Sequence, residues 1–490
     1  MAVAGQRTYL RENATAVVEL PEWVKAVTEN RVYARLRHLR QLGLVVSQFP
    51  SATHTRFAHS LGVAHLAREL LCALDRAHGP ALGLTAGDVN TVVFAALCHD
   101  LGHGPCSHAF EQFMAAVHPE LHWTHEQQSL LMMVYMLDMD GGALRAHVEA
   151  HGVDVRAAQA MILGDARAAA PDKHFLYGIV NNSTSGMDVD KWDYLARDGA
   201  ATVSGVAVNT SALLRSARVV RDGAGRTCIA WPHTLSIDVM GVFAARQTLH
   251  AVVIAHPRAR AAEFMALTAL RHLARYPVPG SDVSIADAHA HPAVFATLTD
   301  VLLDCGTTGW LAPPPAALGM HADYECACEL FRRISSRQLL RFCGEVSVSL
   351  LDAAECGVVD SAGAVAAELA ARAGVGVDAV TVHIAVSSCG KGKLNPVDLV
   401  PFFHEVAPGS RGAGAALTSP AVLDADYDLR SEHAERAIVA PAAVHYSRPA
   451  VCEIRKLLVF VDRKPQQEAV KAALHAWALD HGVHVPPTAP

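Results

Sequence analysis

Apolar residues recur at helical spacing through most of the first two thirds of the chain. Phe57, Leu61 and Ala64, for example, fall every three or four positions, which is the period of one face of an α-helix. Asp88 stands before such a stretch as a predicted N-cap. The helices predicted in this way cover residues 22–41, 55–75, 89–100, 127–137 and most of 140–175.

The last third of the chain has a different pattern. Residues 380–386 and 456–461 are rich in β-branched residues and predict strands. Between them, residues 408–419 are rich in Gly, Ala and Ser and predict a mobile loop. Residues 465–481 return to helical spacing and predict a terminal helix.

These patterns predict a mainly α-helical fold with a smaller α+β C-terminal lobe. A chain of 490 residues is long enough for one large domain or two to three smaller ones. We predict a helical core over residues 1–335 and an α+β lobe over residues 336–490, which we expect to take part in oligomerisation.

Composition narrows the class of protein. The net charge of −7 argues against a generally basic nucleic-acid binder. We find no apolar run long enough to span a bilayer and no signal-peptide segment at the N-terminus. The 11 cysteines form no CxxC pair, which is typical of reduced, mostly buried thiols. We therefore expect an intracellular protein, in the cytoplasm or the nucleus.

A scattered set of His and Asp residues carries the chemistry. His59 is followed by the pair His99–Asp100 and then by Asp190, an H…HD…D order typical of HD-type phosphohydrolases. Two imidazoles and two carboxylates can hold one divalent ion and leave positions open for water and a phosphate oxygen. The same set suits Fe, Zn, Mn or Mg with little selectivity.

Cationic and polar residues accompany these ligands. A helix turns by roughly 100° per residue, so Asp190, Tyr194 and Asp198 fall within an arc of roughly 80° on one face. Lys191 lies beside them, and Arg56 shares a helix face with the first His ligand. The planar fork of an arginine matches phosphate oxygens, so this grouping suits a phosphate-bearing substrate.

Three more histidines are candidates for proton transfer: His103, His108 and His125. Cleavage of a phosphate ester needs an acid for the departing oxygen, and His titrates near neutral pH. Glu111 lies three residues after His108 and can orient or charge an imidazole. The chain has no P-loop, no G-x-S-x-G elbow and no H-E-x-x-H motif, which argues against kinases, serine hydrolases and zincins.

With these motifs the chain resembles the catalytic core of the SAM-and-HD-domain deoxynucleoside triphosphate triphosphohydrolases. The resemblance runs from about residue 8 to residue 482, so we expect the SAM domain to be absent. The most specific matching segments are 37–43, 49–62, 97–108, 123–127 and 188–198.

The resemblance implies hydrolysis of a dNTP to a deoxynucleoside and inorganic triphosphate. The metal would lie at His59, His99, Asp100 and Asp190, with Mg²⁺ on the triphosphate. His125 matches the general acid and Glu111 its acidic partner, although the family carries Asp there, and His108 is the alternative acid. The implied substrate contacts are Arg56, Lys191 and Arg246 to phosphates, Gln41 and Asp198 to the 3′-hydroxyl, and Leu42 and Tyr194 to the sugar.

Other positions depart from the family. Ile254 replaces the tyrosine that excludes a ribose 2′-hydroxyl, and Ala255 replaces a glutamine near the base, so discrimination against ribonucleotides and base preference stay open. Some allosteric positions that bind nucleotides in the family are retained, namely Arg37, Arg337 and Arg341. Glu29 keeps a carboxylate where the family has an Asp that reads guanine. The departures at these allosteric sites are Thr8, Ala34, Pro232, Thr234 and Pro257.

We therefore predict that nucleotides do not activate this enzyme in the usual way, and that it is constitutively active as a homodimer or preformed homotetramer. Two other functions stay open. One is an HD phosphohydrolase acting on another nucleotide. The other is a non-catalytic protein that binds nucleotides or single-stranded nucleic acid, although the acidic charge disfavours strong nucleic-acid binding.

Overall fold

The computed structural model describes residues 7–12, 16–202, 204–347, 362–390, 395–403, 438–439 and 453–481. The loop predicted over 408–419 lies outside them. The described helices are α1 Val24–Thr28, α2 Arg31–Ala34, α3 Arg56–His78, α4 Ala86–Cys98, α5 His108–Val117, α6 His125–Asp138, α7 Ala143–Ala150, α8 Val155–Leu163, α9 Val189–Thr202, α10 Thr210–Ser216, α11 Ser236–Leu249, α12 Pro257–His272, α13 Pro292–Phe295, α14 Val301–Thr308, α15 His321–Ser335, α16 Ala362–Ala373 and α17 Lys464–Asp480.

The described strands form three small sheets. The strands are β1 Arg7–Glu12, β2 Ala16–Pro21, β3 Arg218–Arg221, β4 Thr227–Pro232, β5 Arg341–Ser347, β6 Val380–Ser388, β7 Phe402–Phe403, β8 Ile438–Val439 and β9 Glu453–Val461. The sheet orders are β1-β2, β3-β4-β7-β8 and β5-β9-β6. The prediction of a mainly helical fold with a smaller α+β C-terminal part is confirmed.

Helix α4 forms the centre of the large core. Every residue from Thr91 to Cys98 is buried, as expected for a helix that is apolar on all sides. The helix begins with a reciprocal capping box in which Thr85 is the N-cap and Asp88 returns the hydrogen bond. The predicted N-cap at Asp88 is therefore wrong by one turn. The burial of α4 brings His99, directly after its last residue, into the interior.

Helix α9 crosses α3 at very close range. At Gly62 of α3, an added Cβ atom would lie 1.9 Å from an Asp193 carboxylate oxygen and 2.5 Å from the Arg197 guanidinium. A side chain has no room there, so glycine permits this approach. The crossing sets His59 of α3 opposite Asp190 of α9.

The single helix predicted over residues 22–41 is wrong. The backbone is extended at Asn30, whose side chain accepts a hydrogen bond from the Val32 amide and starts α2 afresh. Such a side chain competes with the helical hydrogen-bond pattern and favours a cap. A 3-10 turn over Arg35–His38 follows, and it leads the chain into the region around Gln41.

The sheet β5-β9-β6 has its own small core on one face. Helices α16 and α17 cover that face with residues such as Leu369 and Trp477. The opposite face, with Leu458 and Phe460, packs on Ala261 of α12. The predicted strands at 380–386 and 456–461 and the terminal helix are confirmed. Strand β7 also pairs in parallel with β4, so the chain returns to the helical core.

One described helical segment, His233–Ile254, is long and apolar enough to cross a bilayer by length and composition alone. The expectation that no such run exists is therefore wrong by this criterion. The segment contains Asp238 and Arg246, and its residues Val242 and Phe243 belong to the main core. One face of this segment therefore packs on the core of the protein. The cysteines in the described segments are free thiols.

Candidate active site

The four predicted metal ligands converge at one point between α3, α4 and α9. His59 Nε2 lies 3.3 Å from His99 Nε2 and 3.0 Å from Asp190 Oδ1. His99 Nε2 lies 3.5 Å from the same Asp190 oxygen and 3.6 Å from Asp100 Oδ1. Three elements that are distant in the sequence thus bring their donor atoms to one place.

The donor atoms fit a divalent ion. The ring nitrogen Nδ1 of His99 donates to the carbonyl of Ala96 at 2.8 Å, and Nδ1 of His59 donates to the Asp193 carboxylate at 2.7 Å. With each Nδ1 occupied in this way, both Nε2 atoms turn toward the same point, where a divalent ion would accept their lone pairs. Ligand bonds of about 2.0–2.1 Å place neighbouring donor atoms at the separations observed here.

Electrostatics also favours a cation at this point. Burial alone lowers the pKa of His59, but hydrogen bonds to Asp190 and Asp193 outweigh it and raise the pKa to about 10. Burial raises the pKa of Asp190, yet His59 and His99 hold it well below its usual range. A divalent ion held by these residues would replace the proton that the carboxylates otherwise retain on the imidazole.

Arg56 holds Asp100 in place. Its Nη1 donates to Asp100 Oδ2 at 2.6 Å, its Nε donates to Ser107 Oγ at 2.9 Å, and its Nη2 donates to the carbonyl of Gln41 at 3.3 Å. Arg56 is 2% exposed and does not line the adjoining cavity. The guanidinium predicted to bind phosphate therefore orients a metal ligand in this structure.

A cavity of about 470 Å³ opens beside Asp190. The predicted substrate residues that line it are Gln41, Leu42, Lys191, Tyr194, Asp198 and Arg246. Ile254 contributes an apolar wall, and His250, Arg260 and Glu263 line it without having been predicted. A larger cavity, of about 900 Å³ beside Arg37 and Trp310, contains none of the four metal ligands.

The polar side chains of the cavity wall are anchored in different ways. Lys191 Nζ lies 3.1 Å from an Asp188 oxygen. Burial lowers the pKa of Lys191, but Asp188 raises it above its usual value, so this lysine is charged at neutral pH. Arg246 Nη1 donates to the carbonyl of Ser388 in β6. Asp198 Oδ1 lies 2.7 Å from His54 Nε2.

Glu111 joins two of the three candidate proton-transfer histidines. Its Oε1 lies 2.5 Å from His125 Nδ1, and its Oε2 lies 2.9 Å from His108 Nδ1. Burial lowers the pKa of His125, but Glu111 outweighs this effect and raises it. The side chain of His125 is 19% exposed and that of His108 is 63% exposed. His125 is therefore the better shielded proton donor.

His103 has a different role. It stacks on His125 with ring centroids 3.9 Å apart, and its Nε2 lies 3.2 Å from Asp100 Oδ1. Burial and the charge of Arg56 hold the pKa of His103 well below its usual value. His103 therefore stays neutral and can donate a hydrogen bond but carries no spare proton.

Sequence reasoning missed several residues of the site. Asp193 orients His59 and is itself held by Arg197 at 2.8 Å. Its place three residues after Asp190, within the same motif, was the available signal. His54 lies in the motif around Arg56, but it was not predicted as a site residue either. His250, which is partly buried, carries no local pattern that distinguishes it from the other 27 histidines.

Comparison with known proteins gives a consistent result. Residues 56–198 match the HD domain family. The chain is 29% identical over 332 residues to "Deoxynucleoside triphosphate triphosphohydrolase SAMHD1 homolog" of Dictyostelium discoideum, which covers 68% of this chain and 59% of that protein. It is 39% identical over 197 residues to human "Deoxynucleoside triphosphate triphosphohydrolase SAMHD1", covering 37% of this chain and 31% of that protein.

A viral protein is also similar. An HD domain-containing protein of Acanthamoeba polyphaga mimivirus is 28% identical over 268 residues, which covers 52% of this chain and 55% of that protein. The chain thus spans less than two thirds of the length of each of these relatives. The HD match itself contains all four converging ligands, His59, His99, Asp100 and Asp190.

Proposed function

We propose that this protein, through the HD domain at residues 56–198, hydrolyses dNTPs to a deoxynucleoside and inorganic triphosphate. One observation carries the proposal. The His and Asp ligands converge beside a cavity whose wall also holds Lys191 and Arg246. A metal site next to two cations and a sugar-sized apolar wall suits a nucleotide polyphosphate.

A divalent ion at His59, His99, Asp100 and Asp190 would polarise the α-phosphate and make a water molecule more acidic. The donor set suits Fe, Zn, Mn or Mg. Arg56 and Asp193 hold two of the ligands in the required orientation. We further propose that Mg²⁺ accompanies the triphosphate.

Lys191 and Arg246 would bind the phosphates. Lys191 is charged because Asp188 supports its ammonium group, and the Ser388 carbonyl in β6 fixes Arg246. Their charges offset the negative charge that builds up on the phosphate oxygens during the reaction. The remaining donors of both side chains can point to the substrate.

Gln41 and Asp198 would bind the sugar. The Oε1 atom of Gln41 is buried and has no hydrogen-bond partner among the described residues, although the side chain lines the cavity. A buried acceptor of this kind is costly unless a ligand donates to it, and a 3′-hydroxyl can do so. Leu42, Tyr194 and Ile254 provide the surface against which a deoxyribose packs.

His125 would act as the general acid. In the reaction, the oxygen of water bonds to the α-phosphorus, the bond from phosphorus to the 5′ oxygen breaks, and that oxygen takes a proton. His125 carries this proton because Glu111 stabilises its charged form. The buried ring of His103 at 3.9 Å limits the positions that His125 can adopt.

The cavity also suggests weak discrimination against ribonucleotides. Ile254 lines the wall and has no polar group with which to recognise a 2′-hydroxyl. An apolar pocket rejects an analogue that only adds a hydroxyl by about 100-fold. We therefore expect measurable turnover of NTPs beside that of dNTPs.

The experiment is a product assay. Purified protein with Mg²⁺ or Mn²⁺ receives each dNTP and GTP, singly and in pairs, and ion-exchange chromatography separates the products. Deoxynucleoside with intact triphosphate is the expected result, and Asp190→Ala should abolish it. Pyrophosphate, monophosphate or no product would instead indicate another phosphohydrolase substrate or a binding protein.

A further inference from the structure

The turn between α4 and α5 carries His103 and ends where His108 begins the next helix. At its end, Cys106 and Ser107 both have positive φ angles, of 62° and 56°. Residues with a Cβ atom adopt this region at an energetic cost and keep it only when the surrounding structure enforces it. Something outside the turn must therefore hold it in this conformation.

The side chain of Asp300 supplies this restraint. It lies directly before α14, 194 residues after Cys106 in the sequence, and its Oδ1 accepts a hydrogen bond from the Cys106 amide at 2.7 Å. Its Oδ2 accepts from the Arg40 amide at 2.8 Å. One carboxylate thus links the turn to the segment that carries Gln41 into the cavity.

Arg35 holds the first half of the same turn. Its Nη2 donates to the carbonyl of His103 at 2.6 Å, its Nη1 to that of Leu101 at 3.1 Å, and its Nε to that of Leu298 at 2.8 Å. Arg35 and Asp300 are 4% and 6% exposed. Two buried, opposite charges therefore connect both halves of the turn to the segment that precedes α14.

We propose that Asp300 is a positioning residue for the hydrolysis proposed above, and this inference rests on that function. Asp300 touches no predicted metal ligand and does not line the cavity beside Asp190. It acts through Cys106 and Arg40, and it sets where His103 and His108 stand relative to Asp100. A shift of about 1 Å in such groups lowers turnover by a large factor.

The main test is Asp300→Asn. Asparagine keeps one acceptor oxygen but turns an NH₂ group toward the second backbone amide, so one of the two buried amides loses its acceptor. We expect kcat to fall by about 10- to 100-fold, and KM to rise by a smaller factor because the link through Arg40 also positions Gln41. Metal content should stay equal to that of the wild type, because the four ligands are untouched.

The matched control is Asp304→Asn. Asp304 is exposed and lies in α14, four residues after Asp300, so Asp304→Asn removes the same charge close to the same place in the chain. We expect its kcat and KM to equal those of the wild type. An equal loss of kcat in Asp304→Asn would overturn the positioning role of Asp300.

A double variant separates positioning from folding. Glycine adopts a positive φ at little cost, so Cys106→Gly added to Asp300→Asn should recover part of the lost kcat. A purely structural role predicts recovery of the melting temperature without recovery of kcat. That result, or a kcat of Asp300→Asn equal to that of the wild type, would overturn the proposal.

A second readout keeps the two proposals apart. If the wild type forms no triphosphate, the proposed function fails, and the positioning role is then judged from the imidazole NMR signals of His103 and His108. Asp300→Asn should shift both signals, while Asp304→Asn leaves them in place. Unchanged signals in Asp300→Asn would reject the positioning role, whatever reaction the protein catalyses.

Discussion

Single residues decide the protonation states at this site. Glu111 lies between His125 and His108, at 2.5 Å and 2.9 Å from their Nδ1 atoms. Asp193 fixes which nitrogen of His59 faces the metal position. Both carboxylates act on an imidazole rather than on the substrate, so their removal should change a pH dependence or a metal affinity.

Glu111→Gln should move the pH dependence of turnover. Because Glu111 raises the pKa of His125, the acid stays protonated to a higher pH, and kcat falls only as the pH rises through that raised pKa. Removal of the carboxylate lowers this pKa, so the alkaline limb of the profile should shift to lower pH. The measurement is kcat between about pH 5 and pH 9.

The control for this variant is Glu120→Gln, which removes an exposed carboxylate paired with His118 instead. Its profile should overlay that of the wild type. An alkaline limb that stays in place in Glu111→Gln would mean that His125 is not the acid.

Asp193→Asn should weaken metal binding. The neutral amide orients His59 less firmly and reduces the basicity of its Nε2 atom, and loss of such a partner typically costs 10- to 100-fold in metal affinity. Titration with Mn²⁺ or Zn²⁺ followed by calorimetry measures the change. The control is Asp378→Asn at an exposed site, which should bind the metal with the affinity of the wild type. Equal metal affinities for the wild type and both variants would contradict the role of Asp193.

At the scale of helices, the geometry of the candidate site depends mainly on where two helices cross. The helical periods of α3 and α9 are visible in the sequence, but the distance between the two helices depends on Gly62. The prediction of one helix over 22–41 is wrong because of a local signal. The side chain of Asn30 caps a new helix, and this cap outweighs the apolar period of the segment.

Gly62→Ala should push α9 away from α3. An added Cβ atom would overlap an Asp193 oxygen at 1.9 Å, and such overpacking costs about 1–3 kcal/mol or more. We expect a lower melting temperature and weaker metal binding, because His59 and Asp190 then separate. Scanning calorimetry and metal titration measure both effects.

Gly241→Ala provides the comparison. Gly241 is an exposed position of α11 where an added Cβ atom meets nothing within 4 Å, so alanine should stabilise the protein by about 0.4–1 kcal/mol. Gly62→Ala should lower the melting temperature and Gly241→Ala should raise it. If both substitutions shifted the melting temperature in the same direction, Gly62 would not be the residue that allows α3 and α9 to approach closely.

At the scale of the whole molecule, strand β6 of the C-terminal part contacts two arginines of the candidate active site. The Ser388 carbonyl of β6 holds Arg246, and Arg260 Nη2 lies 2.6 Å from His383 Nε2 of the same strand. Two of the three arginines retained from the allosteric pattern, Arg37 and Arg337, make contacts within the chain. Arg37 lies over the Phe57 ring at 3.5 Å, and Arg337 donates to the carbonyl of Ser47.

Turnover should therefore be independent of added nucleotide activators. We expect GTP to leave both the rate with another dNTP and the homo-oligomeric state unchanged. Initial rates with and without GTP, together with analytical ultracentrifugation, test this. A shift from dimer to tetramer on addition of GTP or dNTP would show that activation survives without the missing basic residues.

The sequence by itself determined the helical class and most helix positions, and it predicted the His and Asp set that converges in the structure, with its neighbours Arg56, Lys191 and Glu111. These features are local, since a helical period or an H…HD…D order is read within short segments. Tertiary structure decided the partners of these residues. Arg56 binds Asp100 and does not line the cavity, and Asp300 accepts from the Cys106 amide across 194 residues. Contacts of that range depend on how helices pack, which no local pattern contains.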